Sequence, residues 1–471
     1  MEMRNLEDIG THVDALAPAA IALGDAVWDT PELCYEERRS CGLHTAMLHE
    51  QGFTVTPHVA GIPTAVMGES GTAGPVIAFL GEYDALPGLA AQAGICRPVM
   101  TSANGHGCGH NLLGAASLLA AAAVARWLRA SGIPGRVRYY GCPAEEGGAG
   151  KGFMVRAGAF KDVDAAISWH PTAFCGVLPP SSLANMRMDF TFSGRSAHAA
   201  ASPHLGRSAL DAVELMNVGV NYLREHMLPT SRIHYAYVDA GGSAPNVVQS
   251  RAVVRYSVRT EALADLSPLT ERVKQVAEGA ALMTGTTVTS HVTAGVANLL
   301  PCPPLEKILH ESFMEIGPPR FSDADNIFAR EIQATLSSDE IDAAFRQIGR
   351  RRRDIALTDF ILPSDGIFSL GSTDVGDVSW TVPTVQALGA TCAIGTPLHS
   401  WQMTAQGKSS IAHTGMIHVA RAMALTATQL FLSPELLAQA REDHAARLAE
   451  QPYTCPIPPD THPPVQASLQ D

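Results

Sequence analysis

The chain has 471 residues, more than one hydrophobic core usually serves, so two folded units are expected. Its 46% hydrophobic and 17% charged residues supply ample apolar material for folded cores. A net charge of −13 argues against nucleic acid as a partner, because phosphate binding needs clustered Lys and Arg, but it leaves room for a basic pocket that takes a small substrate.

Residues 1–10 carry acidic side chains and no apolar core, so no signal peptide is expected. Apolar spacing predicts helices over 11–28 and 37–51, and the short apolar run 75–81, bounded by Gly and Pro, predicts a buried strand. A long helix is expected over 111–130, closed by Ser131-Gly-Ile-Pro134. Its run 112–128 is Ala-rich and interrupted by Arg126, which points to a buried helix rather than a membrane span. Strands are expected at 136–141 and 165–169, with a helix at 152–158 between them. This alternation predicts an α/β layered unit with ligand groups at strand ends.

From about residue 185 the rhythm changes. Residues 186–192 alternate like a half-exposed strand, 208–224 form an amphipathic helix, and 233–238 and 247–260 read as strands. A helix over 266–285 and a strand over 287–293 complete a small α+β unit with one open sheet face. The expected organisation is a catalytic unit in two parts, 1–184 and 297–471, interrupted by an inserted unit at 185–296. The Pro-rich tail 452–471 is expected to wrap the surface or fray. Nine scattered cysteines, an odd number, suggest reduced thiols in a cytoplasmic protein.

Four clusters carry side chains suited to chemistry. In Asn104-Gly-His-Gly-Cys-Gly-His-Asn111, Cys108 and His110 stand two apart with Gly between, so both can turn toward one ion. A thiol at a helix N-terminus is expected to have a depressed pKa, which favours the metal-binding thiolate. A glycine-rich packing turn is the bland alternative. Glu145 and Glu146, directly after a strand, can divide metal binding and proton transfer between them, although a bare Glu-Glu pair is commonly a solvated loop. His170 ends a strand and His399 sits in a loop before a helix; each alone is more often structural. Together, a thiol, imidazoles and carboxylates suit zinc, with manganese or cobalt as substitutes.

The runs Gly81-Glu-Tyr-Asp-Ala-Leu-Pro87, Gly105-His-Gly-Cys-Gly-His-Asn111, Pro143-Ala-Glu-Glu146, Trp169-His-Pro171, Ser193-Gly-Arg-Ser-Ala-His-Ala-Ala200 and Gly395-Thr-Pro-Leu-His399 resemble the M20 metallopeptidase and amidohydrolase family. Within it, Ser202-Pro-His-Leu-Gly-Arg-Ser-Ala-Leu-Asp-Ala212, Gly371-Ser-Thr-Asp-Val-Gly-Asp-Val-Ser-Trp380 and Gln451-Pro-Tyr-Thr-Cys-Pro-Ile-Pro458 resemble the aminobenzoyl-glutamate utilization protein B group. The resemblance implies a di-metal amidohydrolase with a lid inserted into its catalytic domain. Its substrate would be p-aminobenzoyl-glutamate, with dipeptides and other N-acyl amino acids as alternatives and a helper-subunit role as a third.

The same resemblance implies Cys108 as a thiolate bridging two divalent ions, zinc or manganese, with His110 and Glu146 on one and His170 and His399 on the other. Glu145 would be the general base, and Asp84 the acid that orients a metal ligand. Many M20 relatives place a ligating His where Glu82 stands and a bridging carboxylate where Cys108 stands; this chain departs from them at both points. Asn111 replaces the Asp common after Cys-Gly-His and is left without a catalytic role.

In the implied mechanism two ions roughly 3.5–4 Å apart activate a shared water, and Glu145 moves its proton to the departing amine. His198 and Asn246 are candidates to steady the oxyanion, His198 by reaching across a dimer, and Arg207 is a candidate for a substrate carboxylate. Asp374 and Asp377 fit either a supporting role near the metals or simple turn formation. The lid is expected to pair two chains, as a homodimer or with an A-type relative.

Overall fold

The computed structural model describes residues 2–99, 102–364 and 371–465, with side chains from residue 8 onward. Its strands are β1 (Thr54–Pro57), β2 (Val66–Ser70), β3 (Val76–Glu82), β4 (Arg136–Cys142), β5 (Ala165–Thr172), β6 (Gly176–Val177), β7 (Ala184–Ser193), β8 (Arg232–Asp239), β9 (Arg251–Thr260), β10 (Thr287–Val296) and β11 (Thr384–Ala390). They build two sheets, one of seven strands in the order β1-β2-β4-β3-β5-β11-β6 and one of four in the order β10-β7-β9-β8.

In the large sheet β4, β3, β5 and β11 run parallel at the centre, while β1, β2 and β6 pair antiparallel toward the edges. Parallel strands are covered on both faces, and every residue of β3 and β11 is buried accordingly. The helix His110–Ser131 packs on one face between the helices Glu2–Trp28 and Ser410–Leu432. Among the described residues it alone is long and apolar enough to cross a membrane, with mean hydropathy 1.4, but 94% of that stretch is buried inside the protein. A Cβ on Gly114 would stand 2.6 Å from the Glu82 carbonyl oxygen. Glycine there lets the helix lie directly on the end of β3, which brings His110 to the ends of the central strands.

The four-stranded sheet is antiparallel and alternates sharply. On β7 and β9, Met186, Met188, Phe190, Val254, Tyr256 and Val258 are buried in the core shared with the helices Ala209–Leu223 and Leu263–Thr284. The opposite face is polar, pairing Asn185 with Arg259, Arg187 with Ser257, and Asp189 with Arg255. Two-residue alternation made β7 legible, whereas the strand expected over 247–260 begins only at Arg251. Residues 247 and 248 instead run back against 197 and 198, where Val248 N donates to Ala197 O.

After the helix Pro434–Glu450 the chain turns back as a strap. Tyr453 Oη donates to Asp377 Oδ1 at 2.7 Å, Ile457 is fully buried, and Arg156 donates to the carbonyls of Pro458 (2.6 Å) and Thr461 (2.7 Å). The tail expected to wrap or fray is thus anchored through Thr461, and its residues 466–471 lie outside the described ones. Asp377, open between two roles in the sequence, holds this strap.

Candidate metal centre

Parallel strands end on one side of their sheet, and in open α/β sheets that is where loops gather ligand groups. β3 ends at Glu82 with Asp84 just beyond, β4 leads to Glu145 and Glu146, β5 carries His170, and the chain after β11 reaches His399. Cys108 and His110 arrive at the N-terminal end of the helix His110–Ser131. A cleft of about 530 Å³ opens there, lined among others by Cys108, Glu145, Glu146, His170, Asp374 and His399.

Cys108 stands at the middle of the arrangement. Its Sγ, one His110 nitrogen and one His170 nitrogen all lie within 4.8 Å of one another. A second group with the same spacing joins Cys108 to Glu146 and His399. Cys108 Sγ is 3.4 Å from His170 Nε2, and His399 Nε2 is 3.2 Å from Glu146 Oε1. The close groups thus set His110 beside His170 and Glu146 beside His399, whereas the sequence reading set His110 with Glu146 and His170 with His399. His110 is anchored: its Nδ1 meets Asp84 Oδ1 at 2.9 Å, which leaves Nε2 facing Glu82 Oε2 at 3.4 Å, with the His170 ring 6.1 Å away centre to centre. Asp84 also accepts from the Glu146 backbone N–H at 2.9 Å, so one carboxylate fixes two of the candidate ligands.

The donor set fits divalent cations. His110 Nε2 and Glu146 Oε1 are buried and make no well-formed hydrogen bond among the described residues; their nearest polar neighbours are Glu82 Oε2 at 3.4 Å and His399 Nε2 at 3.2 Å. Burial and the Glu146 carboxylate push the Cys108 thiol well above its usual range, the reverse of the depression expected from a helix N-terminus. A thiolate here needs a positive charge beside it, and a thiol, imidazoles and a carboxylate within 4.8 Å are the donors a borderline-soft ion takes.

Glu145 forms a third close group with Glu82 and His110, again within 4.8 Å, and faces the cleft. Burial, then the charges of Glu82, Glu146 and Asp374, push its carboxyl well above the usual range. Behind it lies a contact that sequence reasoning missed. Lys151 is fully buried, and its Nζ donates to Glu82 Oε1 at 2.5 Å and to Asp374 Oδ1 at 2.6 Å, while its N–H donates to Asp374 Oδ2 at 2.8 Å. The lysine engages Glu82 on the side away from His110. Asp374 is thus a partner of Lys151, a role invisible in a turn-like Ser-Thr-Asp run. A lysine six residues beyond Glu145, at the end of a glycine-rich run and in the first turn of the helix Gly150–Arg156, was the available signal.

Not every candidate comes to this cleft. His198 and Asn246 are exposed and adjacent, with Ala199 N donating to Asn246 O at 2.9 Å, and neither lines the cleft of its own chain. Arg207 spends its guanidinium on the carbonyls of His204 (3.2 Å) and Gly206 (2.6 Å) in its own turn. Asn111 donates to Gly24 O and Gly407 O, a packing role. The cations that do face the cleft are Arg187 and Arg259, on the polar face of the small sheet. Neither has an ion-pair partner among the described residues, whereas their neighbour Arg255 is held by Asp189 at 2.6 and 2.8 Å.

Comparison with known proteins decides the family. Residues 78–326 match the description "Peptidase family M20/M25/M40". The chain is 46% identical over 457 residues to the B-type subunit of p-aminobenzoyl-glutamate hydrolase from Escherichia coli (strain K12), covering 94% of this chain and 95% of that protein. The chain belongs to peptidase family M20. It is also 31% identical to the Xaa-Arg dipeptidase of Mus musculus, over 93% of this chain and 92% of that protein. A solved aminobenzoyl-glutamate utilization protein from Klebsiella pneumoniae shares the fold, with a TM-score of 0.60 at 18% identity, over 88% of this chain and 98% of that one. This M20 chain is a hydrolase of amide bonds, and the cleft at the ends of its parallel strands holds its candidate metal-binding residues.

Proposed function

We propose that the chain hydrolyses the amide of p-aminobenzoyl-glutamate, giving p-aminobenzoate and glutamate, at a centre of two divalent ions, zinc or manganese. The observation that carries this reading is Cys108, the donor shared by the group with His110 and His170 and the group with Glu146 and His399, with Glu145 beside them in the same cleft. His110 and His170 would hold one ion with Cys108, and Glu146 and His399 the other. Bound there, the ions would supply Lewis acidity at the scissile carbonyl and lower the pKa of water.

This chain's own residues do the rest. Glu145 takes a proton from the attacking water as its oxygen bonds to the carbonyl carbon, then gives a proton to the nitrogen as the C–N bond breaks. Asp84 keeps His110 in one orientation, and Lys151 holds Glu82 and Asp374 together behind Glu145. Arg259, whose Nη1 donates to Ser372 Oγ at 2.8 Å, keeps donors for the substrate's main-chain carboxylate. The 46% identity to one chain of a p-aminobenzoyl-glutamate hydrolase supports this substrate, and the dipeptidase relative keeps the peptide alternative in view.

The purified chain, loaded with manganese or zinc, is to be assayed on p-aminobenzoyl-glutamate and on dipeptides that include Xaa-Arg. Release of p-aminobenzoate at the higher kcat/KM is the expected result. Faster dipeptide cleavage would replace this substrate with a peptide, and inactivity of the metal-loaded chain on all of them would overturn the reading.

The proposal extends to assembly. β8 is an edge strand that exposes Tyr235, Tyr237 and Val238, and the helix Ala209–Leu223 beside it exposes Val218 and Tyr222. Such an edge is normally covered, so the inserted unit (185–296) would act as lid and dimer contact, with a second copy or an A-type relative, in the cytoplasm. His198, away from its own cleft, would then serve the neighbour's. Mixing inactive Glu145→Gln and inactive His198→Ala chains should restore about one working site per mixed dimer. Proven exchange of chains with no regained activity would remove the shared site.

A further inference from the structure

Beside the metal cleft lies a second compartment of about 280 Å³, and the two share Glu146, Gly147 and Arg187 as walls. Its far side is closed by the C-terminal strap at Thr461 and His462, and by His291 of β10. Among the described residues that line it, Glu146 is the one acid, and Glu146 already belongs to the candidate metal ligands. The compartment is thus rich in donors, and no other carboxylate lines it.

Two arginines line it: Arg255 is held by Asp189, and Arg187 is the one without a carboxylate among the described residues. Its Nε donates to Thr293 Oγ1 at 3.2 Å, and both terminal nitrogens are left without an acceptor among the described residues. Gly147 sits at φ +103°, a conformation that favours glycine, and a Cβ on it would stand 2.5 Å from Arg187 Nη1, so a larger residue there would have to displace the end of the arginine side chain. Burial, then the nearby Arg255, depress the pKa of Arg187, an imbalance that a bound anion would relieve.

Spacing adds the chemistry of the ligand. β7 and β9 pair Arg187 with Ser257 and Asn185 with Arg259, so Arg187 and Arg259 are diagonal neighbours on one sheet face. Diagonal side chains in an antiparallel pair start about 7–8 Å apart, a separation two guanidiniums can close onto two carboxylates of one small molecule. We propose that Arg187 and the compartment behind it receive a second carboxylate of the substrate's amino-acid part, so that the chain selects dicarboxylic leaving groups such as glutamate. This rests on the amide-hydrolase reading above and adds a specificity-determining residue to it.

The test compares p-aminobenzoyl-glutamate with p-aminobenzoyl-glutamine, equal in shape but neutral at the side chain, in manganese-loaded wild type, Arg187→Gln and Arg187→Lys. Wild type should prefer the glutamate conjugate, and the ratio of the two kcat/KM values should fall by at least about tenfold in Arg187→Gln, with partial recovery in Arg187→Lys. A purely structural arginine would lower both conjugates by the same factor, and that result overturns the proposal. So does a wild type without preference, or a preference intact in Arg187→Gln. A wild type that cleaves neither conjugate defeats the hydrolase reading instead, and the subsite is then read by calorimetric titration with glutamate and glutamine. Tighter binding of glutamate than glutamine in wild type, equalised by Arg187→Gln, supports the subsite; equal binding in wild type overturns it.

Discussion

Glu145→Gln is expected to lower kcat by a factor on the order of 10²–10⁴ while leaving metal content and fold intact, the usual loss when a general base is removed. Glutamine keeps the size of the side chain and its hydrogen-bonding oxygen but cannot carry a proton between water and the amine. The carboxyl sits in the cleft, close to both Glu82 and His110, and outside the two donor groups that share Cys108. Its neighbour behaves differently: Glu146 lies 3.2 Å from His399 Nε2, and its backbone N–H is bonded to Asp84. Glu146→Gln should therefore release metal before it slows chemistry, and added manganese should recover part of its rate. Metal analysis and kinetics on both variants check the division. Equal metal content together with equal rate loss would show that the two carboxylates share one role.

The sequence made the large sheet's centre readable where function and packing demand the same residues. β3 is a short apolar run that ends in Glu82, and β4, rich in Val and Tyr, leads into the Glu145–Glu146 loop, so strand and site announce each other. β11 escaped because Thr384-Val-Gln-Ala-Leu-Gly-Ala390 has neither an unbroken apolar run nor two-residue alternation. Its identity as a strand comes from pairing with β5, a contact that no local window contains. Site residues divide in the same way. Cys108, His110, Glu145, Glu146, His170 and His399 stand in short motifs whose chemistry is local. Lys151, Arg187 and Arg259 act through distance: Lys151 meets Asp374 223 positions later, and the arginines face the cleft only because two strands of another sheet place them there. The orientation of the His110 ring was likewise invisible, since it depends on how Asp84 anchors its Nδ1.

Cys108→Ala is expected to strip the centre of most of its metal, from up to two ions per chain to less than one, and to abolish turnover. Cys108 alone belongs to both close groups, so its loss leaves each of them with two donors instead of three. Two neutral or singly charged donors hold a divalent ion weakly, and no other thiol lines the cleft to replace the first. The thiol is nearly fully buried, at 5% exposure, so alanine leaves a small void in a fold whose large cores lie elsewhere. Stability should change little against a metal-free wild type, which separates lost metal from lost fold. Cys108→Asp sharpens the test. A carboxylate offers two oxygens at about the same reach and can in principle bridge two ions as a thiolate does. Cys108→Asp should therefore retain more metal than Cys108→Ala, with a changed preference among zinc, manganese and cobalt as a harder donor replaces sulfur. Elemental analysis of the three proteins purified without chelator reads the result. Metal content unchanged in Cys108→Ala would end the bridging assignment, whatever happened to the rate.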